Sequence, residues 1–498
     1  MFRLLKYLKA YKFALLMVVV LTAVRVLATL ALPDYMADII NKGIIGNDQH
    51  LIWLNGGIMT FVTLLSGVAT VGAGYFAAKT ATGFATDLRY KVFTKVENFS
   101  KLELDKFSTA SLITRTTNDI QQIQQVMVLM LTLVLMAPMM GIGAIIKGLH
   151  LAPSMSWIII LAVVTIIVVI SCFFAAAVPK FKIMQKMVDK LNLVTRENLT
   201  GLRVIRAFNR EKYQEDKFDQ TNRQLTSVTL YVNRLMSGLQ PSMFFIFNAI
   251  SILIIWVGAH YVQSGSLQIG SMIAFMQYAL LILTSFMMIS FIFILVPRAA
   301  VSGQRIQEVL QTKSQINDPA KPVLLQAGQS MAVEFKDVSF SYAGAQEKVL
   351  HNISFKAEPG QLTAIVGSTG SGKSTLVNLV PRFYDATDGQ VLVGGVDVRR
   401  LRQADLRENV GYVAQKSVLF SGTVASNIAY GRPSADPTEI KQAAKVAQAD
   451  HFINNLDGKY QAAISQDGGN VSGGQRQRLA IARALLKKPA VYLFDDSF

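Results

Sequence analysis

Six apolar stretches constrain the fold of this 498-residue chain more than any other feature. A helix needs about 20 mostly apolar residues to cross a bilayer, and within lipid only helices and closed barrels satisfy every backbone polar group. The stretches that reach this length lie at about 13–32, 52–78, 126–147, 155–178, 239–263 and 269–297. They predict an α-helical membrane domain with six transmembrane helices.

The charged residues are few and mostly basic. Hydrophobic residues make up 51% of the chain and charged residues only 16%, with a formal net charge of +17. Segments 33–51, 148–154 and 264–268 are short and nearly free of lysine and arginine, whereas 79–125 and 179–238 are long and basic. Because cytoplasmic loops carry the excess of positive charge, the N-terminus, both long segments and the C-terminal part are predicted to be cytoplasmic. The basic residues form no single dense stripe, so no nucleic acid partner is predicted.

The polar segments define the domain boundaries. Residues 1–12 alternate apolar or aromatic residues with lysines, which predicts a helix lying at the membrane interface. The six-span domain is predicted over 13–313, and each long cytoplasmic segment is expected to form two helices joined by a short turn. Residues 314–330 contain proline and glycine and are interpreted as a linker. An α/β domain with alternating strand patterns is predicted over 331–498.

An octapeptide in the α/β domain reads G-S-T-G-S-G-K-S and fits the phosphate-loop pattern G-x-x-x-x-G-K-[ST]. Its glycines let the backbone turn tightly and direct N–H groups at phosphate oxygens. Its lysine supplies a charge for the β- and γ-phosphates, and the serine hydroxyl after it is a ligand for Mg²⁺. The ATP ligands predicted here are Gly367, Ser368, Thr369, Gly370, Ser371, Gly372, Lys373, Ser374 and Thr375.

The sequence on either side of the octapeptide predicts a strand, a loop and a helix in that order. Residues 362–366 are a β-branched run, and 374–380 begin a helix whose N-terminus favours anions. Further strands are predicted over 333–342, 349–357 and 390–398. This context disfavours a chance glycine-rich turn, so nucleotide binding is predicted.

Four further motifs accompany the loop in a fixed order. Tyr342 lies 25 positions before Gly367, and Gln415 follows an apolar strand pattern. Residues 471–475 read V-S-G-G-Q, and 490–495 read A-V-Y-L-F-D. Together with the six apolar stretches, these motifs resemble an ATP-binding-cassette (ABC) exporter half-transporter, and the resemblance covers the whole chain.

The resemblance implies a role for each motif. Tyr342 would stack on adenine, Gln415 would contact Mg²⁺ and the attacking water, and Asp495 would hold Mg²⁺ through water. The predicted catalytic residues are Lys373, Gln415, Asp495 and Asp496, and the predicted metal ligands are Ser374, Gln415 and Asp495. The signature residues that would contact ATP on a partner subunit are Ser472, Gly473, Gly474 and Gln475. Without the other motifs, Tyr342 also fits a surface packing role.

The residue after the acidic strand departs from the family pattern. The family has a glutamate there as the general base, whereas this chain has Asp496, which is one methylene shorter. A recession of about 1 Å is expected to slow hydrolysis. The stretch F-D-D-S-F resembles the weakened-site subunit of heterodimeric bacterial exporters, so a heterodimer with a second ABC half-transporter is favoured over a homodimer.

The family pattern continues with a D-loop, a further strand and a switch histidine. None of these occurs before Phe498, and His451 precedes the signature. The nucleotide-binding domain is therefore expected to be incomplete at its C-terminus.

Two cytoplasmic stretches, 102–119 and 197–211, resemble the coupling helices of the family. A solvated amphipathic helix is the alternative for each, and the resemblance favours a coupling role. Arg25 lies within the first span, where an ionisable group indicates either a functional cavity or a structural pair. Phenylalanine and methionine are frequent in spans five and six, which suits an adaptable apolar cavity or plain contact with lipid and helices.

The leading hypothesis is ATP-driven export of hydrophobic or amphiphilic molecules, drugs or lipids, across the cytoplasmic membrane by alternating access. Multidrug or lipid cargo is implied by the resemblance. The alternative is an ATP-gated regulatory or channel-like membrane subunit with little hydrolysis, which Asp496 keeps open although no regulatory insertion supports it. A membrane-anchored ATPase without cargo would not need six spans and two long cytoplasmic segments.

Overall fold

A computed structural model of the chain describes residues 2–325 and 331–496. Part of the predicted linker, 326–330, lies outside the described residues. The chain divides into two compact units. The first contains Met1–Phe93 and Ile113–Leu310, and the second contains Thr94–Leu112 and Gln311–Phe498. The first long cytoplasmic segment, residues 79–125, is called the first cytoplasmic excursion below. Its tip therefore belongs to the same unit as the α/β domain.

The N-terminal part of the chain is helical. In chain order its elements are a 3-10 helix at Phe2–Tyr11, α1 (Lys12–Asp38), α2 (Gln49–Glu97), α3 (Lys101–Phe107), α4 (Thr109–Thr114), α5 (Ile120–Leu129), α6 (Leu135–Leu151), α7 (Ser156–Ala207), α8 (Glu211–Gln263) and α9 (Ile269–Gln311). Turns of π-helix lie at Ile39–Ile44, Arg115–Asp119 and Met130–Val134, and a 3-10 turn at Pro153–Met155. The long cytoplasmic segments are thus continuations of membrane helices.

Six helical stretches among the described residues are long and apolar enough to cross a membrane. They are Lys6–Ile44, Gln49–Glu97, Thr109–Leu151, Pro153–Ala207, Glu211–Gln263 and Ile269–Ile292. This confirms the prediction of a six-span helical domain. Since a helix rises 1.5 Å per residue, α7 with 52 residues and α8 with 53 are each roughly 80 Å long and extend far beyond a hydrocarbon core of about 30 Å.

Helices α6, α7, α8 and α9 share one apolar core, to which α1 contributes Val26 and Leu30. Small residues let these helices approach closely. A Cβ atom on Gly141 would lie 2.6 Å from Oγ of Ser285, so a larger residue there would force one of the two helices or the serine side chain to shift. Apolar side chains of α2 are exposed instead, as expected for a surface that meets lipid, and include Trp53, Phe61, Val68 and Val71.

Polar contacts also join the helices of the first unit. The hydroxyl of Tyr278 donates to Oδ1 of Asp34 at 2.7 Å, and Nζ of Lys147 lies 2.7 Å from the other carboxylate oxygen. These contacts connect α1, α6 and α9. Arg25 is half-buried in α1, and within the described part of the chain its guanidinium has no hydrogen bond or ion pair. Its role therefore remains a prediction.

The second predicted coupling helix, 197–211, is not a separate helix. Its residues up to Ala207 form the last turns of α7, and a turn with Asn209 at φ 55° leads into α8. Extending an existing helix costs less than nucleating a new one, and α7 therefore continues to this point. Leu199, Val204 and Phe208 are 71%, 61% and 73% exposed at this tip.

Helix α3 lies at the tip of the first cytoplasmic excursion. Ser100 caps it, and the carboxylate of Glu103 accepts hydrogen bonds from the Ser100 N–H at 2.8 Å, the Gln315 N–H at 3.1 Å and the Ser314 hydroxyl at 3.3 Å. Glu103 is only 1% exposed. Burial would raise the pKa of this carboxyl, but the hydrogen bonds from Ser100, Gln315 and Ser314 hold the pKa below its usual value. Glu103 therefore attaches α3 to the segment that follows α9.

The described residues of the α/β domain form three small sheets. Its strands are β1 (Val333–Phe340), β2 (Leu350–Ala357), β3 (Asp388–Val393), β4 (Val396–Asp397), β5 (Val410–Val413), β6 (Gly422–Thr423), β7 (Ala463–Ile464) and β8 (Val491–Phe494). Its helices are α10 (Lys373–Leu379), α11 (Gln403–Glu408), α12 (Val424–Ala429), α13 (Pro437–Val446), α14 (Asp450–Asn454) and α15 (Gly473–Lys487). The sheet orders are β2-β1-β3-β4, which is antiparallel, β5-β8, which is parallel, and β6-β7. Helix α10 packs Leu376 and Leu379 against the core side of the first sheet.

Two strand predictions are wrong. Residues 362–366 form no strand, and Leu362 and Val366 are 95% and 93% exposed. A strand needs a hydrogen-bonded neighbour, and within the described residues β5 and β8 pair only with each other. The predicted strand over 390–398 is a hairpin, because Gly394 and Gly395 at φ 60° and 74° form a turn between β3 and β4.

Replacing Glu103 by glutamine tests the attachment of α3. We expect the free energy of unfolding at pH 7 to fall by about 1–3 kcal/mol, because hydrogen bonds to a charged group are lost. Folding lowers the pKa of this carboxyl. The difference is therefore complete above the unfolded pKa of about 4.3 and is lost as the pH falls through the folded pKa. Thermal unfolding of the full chain in detergent measures it across pH, with the exposed Glu97→Gln as control. An equal loss of unfolding free energy in both variants would contradict the attachment of α3 through Glu103.

Candidate nucleotide-binding site

The phosphate loop leads directly into α10. Gly372 precedes the helix with φ 89°, and Gly370 has φ 86°. Residues with a Cβ atom rarely adopt this left-handed conformation. A Cβ atom on Gly372 would also lie 2.8 Å from Cδ2 of Leu350. Both the backbone and the neighbouring strand therefore require glycine at this position.

The ammonium group of Lys373 folds back over the loop. Its Nζ donates hydrogen bonds to the carbonyl oxygens of Gly367 at 2.8 Å and Ser368 at 2.9 Å. A positive charge is therefore held at the loop that leads into α10, and a charge at such a loop is suited to phosphate oxygens.

The loop and the acidic strand meet at one hydrogen bond. The hydroxyl of Ser374 donates to Oδ1 of Asp495 at 2.7 Å, although 121 positions separate the two residues. Asp495 is 7% exposed, and its N–H donates to the carbonyl of Val413 at 2.9 Å, which continues the pairing of β5 with β8. A hydroxyl and a carboxylate are hard oxygen ligands of the kind that Mg²⁺ prefers, so these two residues fit the predicted metal site.

Gln415 and Asp496 also lie together at this edge. Nε2 of Gln415 donates to Oδ2 of Asp496 at 2.9 Å. The side chain of Gln477, which belongs to none of the predicted motifs, donates to the Asp496 carbonyl at 3.3 Å. The pairs Ser374–Asp495 and Gln415–Asp496 therefore lie next to each other at the carboxyl ends of β5 and β8, where parallel sheets generally bind ligands.

Tyr342 lies just after β1 and reaches the loop. Its hydroxyl is 2.9 Å from Oγ1 of Thr375, and the side chain is 38% exposed. Phe340 and Tyr384 contact its ring edge-to-face, with centroid distances of 4.9 and 5.4 Å and interplanar angles of 85° and 89°. A partly exposed aromatic ring is thus held beside the start of α10. Tyr384 was missed in the sequence, because nothing in the local pattern links it to this position.

The signature residues form the start of α15. Ser472 is the N-cap, the Gln475 N–H donates to its hydroxyl at 3.3 Å, and the Gln475 side chain accepts from the Ser472 N–H at 2.8 Å. Gly473 and Gly474 are exposed, and a Cβ atom on either would meet no atom within 4 Å. Val471 is buried at 9% exposure. Within the described part of the chain no hydrogen bond joins Ser472 to Gln475 with the phosphate loop, so the two motifs are not brought together.

Comparison with known proteins identifies the fold. The family model "ABC transporter transmembrane region" matches residues 15–287, and the model "ABC transporter" matches residues 350–498. The chain belongs to the ABC transporter family. An uncharacterized ABC transporter ATP-binding protein of Mycobacterium tuberculosis is 40% identical over 99% of this chain and 85% of its own length.

Two relatives carry functional names. The ATP-dependent lipid A-core flippase of Pseudomonas aeruginosa is 32% identical over 90% of this chain and 74% of its own length. A multidrug efflux ATP-binding/permease protein of Mycobacterium bovis is 33% identical over 85% of this chain and 35% of its own length. The predicted family and fold class are confirmed: the chain is an ABC exporter half-transporter.

The family establishes the general activity and location. The chain binds ATP, and its ATPase activity is coupled to transport. It is a multi-pass protein of the cytoplasmic membrane with a cytoplasmic nucleotide-binding domain, and exporters of this type act as dimers.

Alanine substitutions at two glycines separate backbone strain from steric overlap. At Gly370 the Cβ atom has open space, so only the left-handed backbone resists substitution; at Gly372 it also meets Leu350. Strain of about 1–2 kcal/mol per position is expected to weaken ATP binding by roughly 5- to 30-fold for Gly370→Ala, and by more for Gly372→Ala.

Equilibrium binding of ATP to the full chain in detergent measures both variants. The control is Gly344→Ala, which carries the same strain at φ 82° in open space outside the loop. If Gly372→Ala bound ATP as tightly as Gly344→Ala, the described loop geometry would be wrong.

Proposed function

We propose that this chain exports hydrophobic or amphiphilic molecules, either drugs or lipids, by alternating access as half of a dimer. The observation that carries the proposal is the 2.7 Å hydrogen bond between Ser374 and Asp495, which joins the two nucleotide motifs on a chain with six candidate spans. Relatives named as a lipid A-core flippase and a multidrug efflux protein support this cargo class.

The site residues divide the work of hydrolysis. Lys373 exchanges the carbonyls of its own loop for β- and γ-phosphate oxygens, and the ring of Tyr342 stacks on adenine. Ser374, Asp495 and Gln415 would hold Mg²⁺, which neutralises the developing charge when it is bound. Asp496 accepts the proton of the attacking water, which Gln415 helps to orient.

The dimer is proposed to be a heterodimer. The exposed signature Ser472–Gln475 would complete the site on a second ABC half-transporter, and the partner's signature would complete the site at this phosphate loop. In this loop-side site, Asp496 is already in contact with Gln415 at 2.9 Å. Because Asp496 is one methylene shorter than the family's glutamate, we propose slow turnover at this site. The partner's site would turn over normally if it contains the glutamate.

We also propose the domain boundaries predicted from the sequence. They are the interfacial segment 1–12, the membrane domain 13–313, the linker 314–330 and the nucleotide-binding domain 331–498. The exposed apolar tip at Leu199, Val204 and Phe208 supports a role for the end of α7 in docking on a nucleotide-binding domain.

The cargo region is proposed to include phenylalanine and methionine residues of α8 and α9. Such side chains adapt to varied apolar shapes. Phe245 and Phe291 are 75% and 54% exposed, whereas Phe275 is fully buried in the helix core and serves packing. Only the exposed members are therefore available to cargo.

Transport into inside-out vesicles tests the proposal. Vesicles that contain this chain and its co-expressed partner are supplied with ATP and either a fluorescent cationic amphiphile or a short-chain fluorescent lipid. We expect ATP-dependent uptake of one probe. Lys373→Ala should reduce uptake at least tenfold, and Lys445→Ala on α13, which is exposed, should not. An ATP-gated conductance without uptake would contradict export and support the alternative of a channel-like subunit, which the short base Asp496 favours.

Asp496→Glu tests the weakened site. The longer side chain restores the reach of the base, so we expect the rate of phosphate release by the heterodimer to rise severalfold. Asp457→Glu, at an exposed position of the same domain, is the control. An unchanged rate in Asp496→Glu would show that side-chain length does not limit hydrolysis here.

A further inference from the structure

We propose that Tyr384 and Asp105 are positioning residues that couple occupancy of the base site at Tyr342 to helix α3 of the first cytoplasmic excursion. This inference rests on the proposed contact of Tyr342 with adenine. All three residues belong to the second unit, so the whole connection lies within one compact body.

Tyr384 has a fixed place beside Tyr342. It is 7% exposed, its ring meets Tyr342 at 89° with centroids 5.4 Å apart, and Phe340 contacts it at 5.5 Å. Aromatic pairs favour this edge-to-face geometry. Because the two rings are in contact and Tyr384 is buried, a movement of the Tyr342 ring towards Tyr384 presses on that side chain.

The other end of Tyr384 reaches α3. Its hydroxyl donates to Oδ2 of Asp105 at 3.3 Å, and Nζ of Lys101 holds Oδ1 of the same carboxylate at 2.6 Å. Burial and the nearby Asp105 charge raise the pKa of the Tyr384 phenol well above its usual value. The phenol therefore remains a hydrogen-bond donor at every physiological pH.

Helix α3 is also bonded to the segment that follows α9. Glu103 attaches it to Ser314 and Gln315. Tyr342 in turn is joined by its hydroxyl to Thr375, the residue after Ser374. The path from the phosphate loop to α3 is therefore continuous through Thr375, Tyr342, Tyr384 and Asp105. Through this path, the presence of the adenine base at Tyr342 affects α3. This effect adds to that of the contacts between the phosphate loop and the phosphates.

The first test removes only the hydroxyl. In Tyr384→Phe the ring contact with Tyr342 remains but the bond to Asp105 is lost. We expect uptake of the fluorescent probe per ATP hydrolysed to fall at least threefold, with the KM for ATP unchanged. Asp105→Ala should have the same effect, and the double variant should be no worse than either single one. The control Tyr460→Phe removes a similar Tyr–Asp bond, to Asp450, elsewhere in the domain and should leave both quantities unchanged.

The second test removes the ring and needs no transport. In Tyr384→Leu the Kd of the full chain for ATP should rise at least fivefold, while the Kd for inorganic tripolyphosphate stays the same. Equal weakening of both ligands would mean a structural role only and would overturn the proposal, as would normal coupling in Tyr384→Phe. If the parent chain shows no uptake of either probe, the proposed export function fails, whereas the two Kd values still decide the role of Tyr384.

Discussion

The nucleotide site is organised by one short contact, between the hydroxyl of Ser374 and the carboxylate of Asp495. It holds the first turn of α10 against the end of β8, and so fixes the phosphate loop relative to the parallel pair of strands. Gln415 and Asp496 follow these strands and acquire their places from the same pairing. The Ser374 hydroxyl and the Asp495 carboxylate thus lie together as two oxygen groups of the kind that coordinate Mg²⁺.

The second organising feature is the position of α3. The chain leaves the membrane helices at Glu97, forms α3 and returns, yet these residues pack with the α/β domain. Glu103 and Asp105 lie two positions apart and face different partners: the segment after α9 and Tyr384. One short helix thus joins the nucleotide domain and the segment that connects it to the last membrane helix.

Motifs with a local physical cause were predictable from the sequence. The six spans follow from length and apolarity, and the phosphate loop follows from its glycines and lysine. The failures have two different causes, one non-local and one local. The β-branched run 362–366 reads as a strand, but strand formation depends on a neighbour that pattern alone does not reveal. The hairpin at Gly394 and Gly395 has a local signal that the alternation around it obscured. Tyr384 and Gln477 reach the site only through the tertiary fold, so no spacing identifies them.

The uninterrupted length of α7 and α8 has a mechanical consequence. These helices pack side by side, and each contains one proline, Pro179 and Pro241, near the boundary between its apolar and its polar part. A proline removes a backbone hydrogen bond within a helix and makes that point the easiest to bend. About 28 residues of α7 follow its proline, which is a rod of roughly 40 Å. A bend of only 5° there would displace its cytoplasmic tip by about 4 Å. The pair therefore has the geometry of a hinged lever, in which a small angular change becomes a side-chain-sized movement at the far end.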